Sequence, residues 1–351
     1  MTRLVNIAGV TLGGDAPVRV QSMLNTDTRD VAASVAQAQA LVDAGCELVR
    51  AAVPHADALD GFERLVAQCP VPVIADIHFD YRLALEAMRR GAAKLRINPG
   101  NIGDFARVDA IIDAAGEAGI PIRIGVNAGS LSDTVAGRSD LSLAQKLVTS
   151  AEEYVHHFES RGFYNSVLSV KASSVPVTIE AYRLLWEATE YPLHLGVTEA
   201  GTVTSGTIKS AVGLGTLLAD GIGDTIRVSL TADPAEEVAV AWEILAALDL
   251  RRRMPELVSC PTCGRCRIDL VPLAQEVEHR LKDLASANPD RYAGLKVAVM
   301  GCEVNGPGEA READFGIAAG KGCGLVFACG VALVKVPEQE LVDTLFSYIT
   351  A

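Results

Sequence analysis

The chain has 351 residues, a formal net charge of −13, 49 % hydrophobic residues and 21 % charged residues. The apolar fraction is sufficient for a full hydrophobic core, which excludes a disordered chain. The acidic balance argues against a general binder of nucleic acid or of anionic membranes. No apolar stretch reaches the roughly 18 residues of a membrane span, and the start carries no leader-peptide pattern. We therefore expect a cytoplasmic protein.

From Val18 to about Leu248, short β-branched runs alternate with longer amphipathic segments. This alternation predicts parallel strands joined by crossover helices, and eight such units match the size of a (β/α)8 TIM barrel. A doubly wound sheet is the alternative, but no GxGxxG motif follows the first strand. The predicted strands are Val18–Met23, Glu47–Ala51, Val73–Ile77, Ala93–Ile97, Ile122–Val126, Ser166–Val170, Leu193–Val197 and Thr225–Val228.

The alternating rhythm stops near Met254, where we place a domain boundary between residues 1–253 and residues 254–351. The second segment contains a predicted helix over Leu270–Ala287 and a predicted strand over Lys296–Met300. A predicted hairpin follows, pairing Phe315–Ala319 with Leu325–Val336. The fold class is therefore α/β, a TIM barrel followed by a smaller α/β domain.

Five cations lie on the predicted barrel strands or at their ends. Chemistry in such barrels sits where the strands end, and buried Arg and Lys need anions. Either neighbouring carboxylates or a bound ligand could supply those anions. Convergence of five cations favours a small, multiply anionic substrate, most simply a diphosphate. The candidate substrate-binding residues are Arg50, Arg96, Arg123, Lys171 and Arg227, together with Asn127 and Ser229.

Two acidic residues share the same predicted rim. Asp76 ends the third strand, and Glu199 follows the seventh. Each could be an ion-pair partner of a cation, or each could take part in proton transfer to a reacting substrate. Glu199 is the better candidate for a proton donor because it lies on a loop that can reach into the site. Asp76 is the candidate hydrogen-bond partner within the site.

Six of the eight cysteines lie between Cys260 and Cys329. Cys260, Cys263 and Cys266 form two overlapping CxxC spacings, which close a tight loop around a metal. Cys302 stands alone in a loop rich in Gly and Pro. Zinc and iron–sulfur both remain open from this spacing, which by itself would favour Cys266 as the third ligand. Cys323 and Cys329 are expected to be ordinary buried thiols.

Eight motifs occur in an order that resembles the bacterial 4-hydroxy-3-methylbut-2-enyl diphosphate synthase family of the non-mevalonate isoprenoid pathway. Each motif alone is weak, whereas eight in register are specific and cover nearly the whole chain. The motifs are Val20–Thr28, Ala75–Tyr81, Arg96–Gly103, Ile124–Ser130, His194–Gly201, Gly221–Ser229, Cys260–Cys263 and Asn305–Glu309.

The resemblance implies a TIM barrel followed by a domain that carries a [4Fe–4S] cluster. It implies reductive ring opening of 2-C-methyl-D-erythritol 2,4-cyclodiphosphate to 4-hydroxy-3-methylbut-2-enyl diphosphate and water. The electrons would come from a reduced flavodoxin or ferredoxin. Carried over by motif, the cluster ligands would be Cys260, Cys263, Cys302 and Glu309. Family members are homodimers in which the cluster domain of one chain closes over the barrel of the other.

Cys266 is a departure, because it is not part of the family pattern. In an interpretation from spacing alone, it would compete with Glu309 as a ligand. We expect the carboxylate to be the ligand, since a harder oxygen donor marks an iron whose coordination can change. Two other functions compete with this one. The first is a barrel transferase of the pterin- or corrinoid-methyltransferase kind, and the second is a barrel with a zinc ribbon that docks a protein partner.

Overall fold

The structure, a computed structural model, describes residues 2–129, 131–302 and 312–351. The chain divides into two compact units, one ending at Arg251 and the other beginning at Arg252. Each unit contains a hydrophobic core formed from its own residues. A separate core in each unit is the usual mark of two domains.

The first unit contains a short antiparallel hairpin, β1 (Val5–Ile7) and β2 (Val10–Leu12), followed by eight parallel strands. A parallel bridge between Leu168 on β8 and Leu193, the residue before β9, joins the two edges of this sheet, so the sheet closes on itself. This arrangement confirms the predicted (β/α)8 barrel. The barrel strands are β3 (Arg19–Met23), β4 (Leu48–Ala52), β5 (Val73–Asp76), β6 (Lys94–Ile97), β7 (Ile122–Asn127), β8 (Ser166–Lys171), β9 (His194–Leu195) and β10 (Thr225–Ile226).

Helices follow the strands and cover the outside of the barrel. Their apolar faces pack on the outward-facing residues of the sheet to form one large core. Local signals fix several helix starts, such as the capping box of Ser142 and Gln145 and the Asp233 cap before Pro234. No helix within the described residues is long and apolar enough to cross a membrane. The helices are α1 (Val31–Asp43), α2 (Leu59–Gln68), α3 (Tyr81–Arg89), α4 (Pro99–Ile102), α5 (Phe105–Ala118), α6 (Asp133–Ala136), α7 (Leu143–Ser160), α8 (Val175–Ala188), α9 (Val203–Ala219) and α10 (Pro234–Ala247).

The N-terminal hairpin closes the end of the barrel where the strands begin. Side chains from the hairpin and from the first residues of three barrel strands form one apolar cluster, and each is at most 1 % exposed. This cluster covers the end of the barrel where the strands begin, which leaves the ends of the strands as the side from which a ligand would approach. The cluster consists of Val5, Ile7, Leu12, Leu48, Ile74 and Val167.

The second unit is a five-stranded sheet in the order β11-β12-β13-β14-β15, with helices packed on one face. The first three strands are parallel and the last two pairings are antiparallel. The predicted helix and the predicted Lys296–Met300 strand are present with the expected bounds. The elements are β11 (Glu256–Ser259), α11 (Leu270–Ala287), α12 (Pro289–Tyr292), β12 (Lys296–Met300), β13 (Phe315–Ala319), β14 (Cys323–Ala328), β15 (Val331–Pro337) and α13 (Leu341–Thr350).

The predicted hairpin was wrong in one respect, because the segment Leu325–Val336 is two strands rather than one. The chain turns at Cys329 and Gly330, which have φ angles of 48° and 76°. Two consecutive residues with positive φ are what a tight turn between antiparallel strands requires. The turn folds β15 back onto β14 and adds a fifth strand to the sheet.

Candidate active site

The inward-facing residues of neighbouring barrel strands carry the predicted cations. In β6, Leu95 and Ile97 belong to the outer core, so the alternate residues Lys94 and Arg96 face the interior. Arg123 lies next to Arg96 in the ladder between β6 and β7. Pairing of the strands therefore brings cations from different strands, such as Arg96 and Arg123 at a separation of 27 residues in sequence, into one chamber.

Asp76 is the centre of the first ion-pair cluster. Its carboxylate lies 3.1 Å from Arg96 Nη1, 3.7 Å from Arg50 Nε and 3.4 Å from His78 Nε2. Burial would raise the pKa of Asp76, but the neighbouring charge of Arg50, the hydrogen bond from His78 and the charge of Arg96 hold it well below its usual range. Asp76 is therefore ionised, and it can orient the guanidinium groups but cannot donate a proton.

Glu237 is the centre of the second cluster, and the sequence analysis did not identify it. It lies on the first turns of α10 and is buried. Both of its oxygens accept hydrogen bonds from Arg227 Nη2, at 3.3 and 3.2 Å. Ser22 Oγ and the backbone N–H of Leu230 also donate to this carboxylate. Glu237 therefore fixes the direction of Arg227 at the end of the eighth strand.

Four other guanidinium nitrogens of the chamber have no hydrogen-bond partner in the part of the chain that the structure describes. Arg123 Nε and Nη1, Arg96 Nε and Arg227 Nε are buried and have no hydrogen-bond partner among the described residues. Buried donors without acceptors are costly, and Arg remains charged in proteins. Within the described ranges, the five predicted cations thus lie beside the two carboxylates of Asp76 and Glu237, an excess of positive charge that a bound polyanion would neutralise.

Lys171 completes the ring of cations at the end of β8, where it pairs in register with Asn127 on β7. Burial and the charges of Arg123 and the other ring arginines lower the pKa of Lys171 well below its usual range. A Cβ atom on Gly196 would clash with Lys171 Nζ, so the glycine leaves the space that the amine occupies.

Ser229 and Glu199 lie on the loops that follow the last two strands. Ser229 is half-buried, two residues beyond Arg227. Glu199 is exposed and has a φ angle of 52°, a left-handed conformation that costs a non-glycine residue about 1 kcal/mol or more. Such strain is typical of functional loops, although Glu199 forms no ion pair within the described residues.

The structure adds a deeper polar layer that the sequence analysis missed. Lys94, Gln21, His194 and Thr225 are buried on β6, β3, β9 and β10. The signal that could have found Lys94 is its spacing, two residues before Arg96 on the same strand. His194 and Thr225 are each the first residue of a two-residue strand, where alternation is too short to read.

The second unit brings the thiol-bearing segments together at one edge of its sheet. Cys260 follows β11 and Cys302 follows β12, and these parallel strands pair in register, with Ser259 beside Val299. The backbone N–H of Gly301 donates to Cys260 Sγ at 3.3 Å. Hydrogen bonds from backbone amides to sulfur are what thiolate ligands of iron–sulfur centres accept.

Cys263 is exposed on the loop between Cys260 and Cys266. The backbone N–H and the guanidinium of Arg265 lower the pKa of Cys263, which favours the thiolate that binds metals. Unlike the exposed Cys263 thiol, the Cys266 thiol is engaged by the backbone, because its Sγ donates to the carbonyl of Ile268 at 3.3 Å. A Cβ atom on Gly301 would meet Cys266 Sγ at 2.5 Å, so this thiol is packed against the backbone.

Soft thiolates on two adjacent strand ends fit an iron–sulfur centre or zinc by the chemistry of the donors. Within the described residues, no three Cys, His, Asp or Glu side chains converge on a point where a single ion could bind. The predicted fourth ligand, Glu309, lies outside the described residues. The prediction that Cys329 is buried was wrong, because the tight turn exposes it, and Cys323 is half-buried.

Comparison with known families decides the relationship. Residues 2–242 match the GcpE TIM-barrel domain and residues 256–351 match the GcpE protein C-terminal domain. The chain belongs to the GcpE family. These two matches cover both units of the structure and confirm the resemblance that the motifs indicated.

Curated relatives in the GcpE family are similar to the chain over nearly its full length. A protein of Geobacter sulfurreducens is 54 % identical over 348 residues, which is 99 % of this chain and 97 % of the relative. A protein of Maridesulfovibrio salexigens is 54 % identical over 97 % of this chain and 93 % of the relative. Both are named 4-hydroxy-3-methylbut-2-en-1-yl diphosphate synthase (flavodoxin).

Solved structures share the barrel at low sequence identity. Dihydropteroate synthase from Coxiella burnetii has a TM-score of 0.52 and 12 % identity, covering 71 % of this chain and 97 % of the other. The enzyme from Xanthomonas albilineans has a TM-score of 0.51 and 18 % identity, covering 70 % and 97 %. At this identity the likeness shows the fold alone.

Proposed function

We propose that this GcpE family member catalyses reductive ring opening and dehydration of 2-C-methyl-D-erythritol 2,4-cyclodiphosphate. The products would be 4-hydroxy-3-methylbut-2-enyl diphosphate and water, formed with two electrons from a reduced flavodoxin or ferredoxin. The proposal is supported by relatives with the synthase name at 54 % identity over nearly the whole chain. The excess of buried cations in the barrel supports a diphosphate substrate.

The barrel residues would hold the two phosphates and stabilise the leaving oxygen. Opening the ring breaks a carbon–oxygen bond and leaves a terminal phosphate with one more negative charge. Fixed donors aimed at the position where that charge develops lower the barrier. The residues proposed for this role are Arg50, Arg96, Arg123, Asn127, Lys171, Arg227 and Ser229.

Proton transfer at the site is assigned to Glu199. Expulsion of the hydroxyl oxygen as water needs a proton, and Glu199 lies exposed on the loop after β9, where it can reach a bound substrate. Asp76 is ionised by its neighbours, so it contributes by orienting Arg50 and Arg96. The two catalytic carboxylates thus have different roles because their environments differ.

The second unit would hold a [4Fe–4S] cluster through Cys260, Cys263, Cys302 and Glu309. When bound, the cluster supplies electrons to the substrate one at a time. Segment 1–253 would then be the substrate-binding domain and segment 254–351 the cluster domain. By similarity to the family we also propose a homodimer, which light scattering of the pure protein tests.

The observation that carries the proposed function is the excess of five cations over the carboxylates of Asp76 and Glu237 among the residues that the structure describes. Its test begins with anaerobic purification and measurement of iron and acid-labile sulfide. Turnover of the cyclodiphosphate is then measured with reduced flavodoxin and, separately, with reduced ferredoxin. We expect iron and sulfide in equal amounts and formation of the linear diphosphate with at least one donor.

The competing functions give different results in the same measurements. Zinc without sulfide would indicate a docking module, and a colourless, metal-free protein that transfers a methyl or pterin group would indicate a barrel transferase. Either result would overturn the proposed function.

A further inference from the structure

Lys94 is the deepest cation of the barrel, and the proposed function does not use it. It is the first residue of β6, and its exposed fraction is 0 %. Its amine donates one hydrogen bond, to Gln21 Oε1, at the long distance of 3.4 Å. Within the described part of the chain, no carboxylate lies within ion-pair distance of Lys94 Nζ. A charged ammonium in this position would therefore be almost uncompensated.

The charged groups that act on Lys94 are cations, and the carboxylate on the neighbouring strand is engaged by other partners. Arg123 on β7 and Arg50 on β4 act on it electrostatically, and it acts in turn on His194 of β9. The nearby carboxylate of Asp76 on β5 is already engaged by Arg50, Arg96 and His78.

Polar atoms at this depth also lack partners. Gln21 Nε2, Thr225 Oγ1 and both ring nitrogens of His194 have no hydrogen-bond partner among the described residues. A proton on Lys94 would add a positive charge that no described group at this depth stabilises, unless an anion binds at the ends of the strands.

The net charge of the chamber can change on ligand binding if one of its side chains gains or loses a proton. Among the described residues, the chamber holds six cations, including Lys94, beside the carboxylates of Asp76 and Glu237. The four arginines stay protonated, which leaves Lys94 and Lys171 as the amines that can exchange a proton. Lysine loses its proton when buried, because the neutral amine does not carry the desolvation cost of the ammonium. Burial and the charges of Arg123 and Arg50 lower the pKa of Lys94 well below its usual range.

We infer that Lys94 is neutral in the ligand-free barrel and accepts a proton from solvent when a diphosphate binds, so that binding takes up one proton. The inference rests on the proposed function, since it needs the ring above Lys94 to hold phosphates. The only bond formed is N–H, and bulk water with its buffer supplies the proton. Lys171 is the other amine of the chamber, and burial and the arginine charges lower its pKa as well. It is half-buried at the end of β8, whereas Lys94 is 0 % exposed, so the proton is assigned to Lys94. Lys94 gains the proton before His194 does, because the ordinary pKa of an amine is about four units above that of an imidazole.

Proton uptake makes affinity depend on pH. Between the pKa of Lys94 in the free barrel and its pKa in the complex, the dissociation constant rises by up to about tenfold for each unit of pH. The linear product, which carries one more negative charge than the cyclic substrate, would hold the protonated amine more strongly. The positive charge of the chamber would thus increase, through protonation of Lys94, as the negative charge of the bound ligand increases.

The test uses P1,P2-dimethyl diphosphate, in which each phosphate carries a single charge that does not change near neutral pH. Calorimetric titration of the full-length protein at about pH 8, in buffers of different ionisation enthalpy, measures proton uptake directly. We expect uptake approaching one proton in the wild type and almost none in Lys94→Met or Lys94→Gln. His194→Gln is the matched control and should retain the uptake.

Three outcomes would overturn the inference. Binding without proton uptake in the wild type would do so whether or not any variant folds. Undiminished uptake in Lys94→Met would assign the proton to another group while leaving the phosphate site intact. Absence of any binding by the wild type would reject the inference together with the diphosphate site of the proposed function.

Discussion

Arg123 lies beside Arg96 in the ladder of the barrel, yet the two guanidinium groups have different environments. Arg96 forms an ion pair with Asp76 at 3.1 Å. Arg123 Nε and Nη1 are buried without a partner in the described part of the chain. The charge of Arg96 is therefore largely matched within the protein, whereas the charge of Arg123 is available to a ligand.

Replacing Arg123 with methionine should weaken binding of the cyclodiphosphate and stabilise the ligand-free protein. Loss of a charged hydrogen bond costs about 1.5–3 kcal/mol, which raises the dissociation constant roughly 10- to 150-fold. The free energy of unfolding should rise, because an unpaired buried charge is removed. Calorimetry and guanidinium denaturation measure the two effects.

The control is Arg138→Met, at an exposed arginine paired with Asp140. Unchanged affinity in Arg123→Met would contradict the proposed phosphate site.

Asp76→Asn should destabilise the protein in a pH-dependent way. Removing one partner of a buried ion pair costs about 3–5 kcal/mol at neutral pH. Since the folded pKa of Asp76 is depressed, its stabilisation is fully present above the unfolded carboxyl pKa of about 3.9 and is lost as pH falls below that value. Urea unfolding from neutral pH to the lowest pH at which the protein stays folded should show the two proteins converging. A constant difference at all pH values would mean that Asp76 is not ionised by its neighbours.

Glu199→Gln should leave substrate affinity nearly unchanged and reduce turnover by roughly 10²-fold or more. The reason is that glutamine keeps the size and polarity of the side chain but cannot donate the proton. Single-turnover kinetics with the reduced enzyme separate this effect from binding. Glu117→Gln, on the exposed side of α5, is the control, and near-normal turnover in Glu199→Gln would remove this residue from the mechanism.

Cys266→Ser and Cys263→Ser should differ in iron content. Serine at position 266 can still donate to the carbonyl of Ile268, so the loop is retained and iron and turnover should be near normal. Serine at position 263 removes a proposed ligand, and the cluster should be lost. Iron and sulfide analysis with visible absorption spectra provides the comparison. If Cys266→Ser loses its iron, Cys266 rather than Glu309 completes the ligand set.

The barrel could be predicted from sequence because its strands are short β-branched runs and its helices carry clear amphipathic patterns. Predicted bounds are close for most strands, but β9 and β10 are shorter than expected. At Gly196, just past the end of β9, the chain accommodates the side chain of Lys171. The positions of the five cations could be predicted because strand ends are recognisable in a barrel of this kind, and their role in binding substrate stays a prediction.

Other parts of the site carry no local signal. Glu237 contacts Ser22, a residue 215 positions away, and nothing in the sequence of α10 identifies that partner. The neutral state inferred for Lys94 depends on residues from several strands, so only the folded barrel shows it. The turn at Cys329 was missed because a cysteine is an unusual residue in the left-handed conformation that the turn requires.

The hairpin of β1 and β2 covers one end of the barrel, so traffic into and out of the chamber would use the opposite end. Substrate, product and the water that carries protons to Lys94 would all pass through that open end. A fresh molecule can enter only after the previous one has departed, so the two should compete directly for the enzyme. Escape of the more highly charged molecule from its ring of cations then becomes a candidate for the slowest event in each cycle.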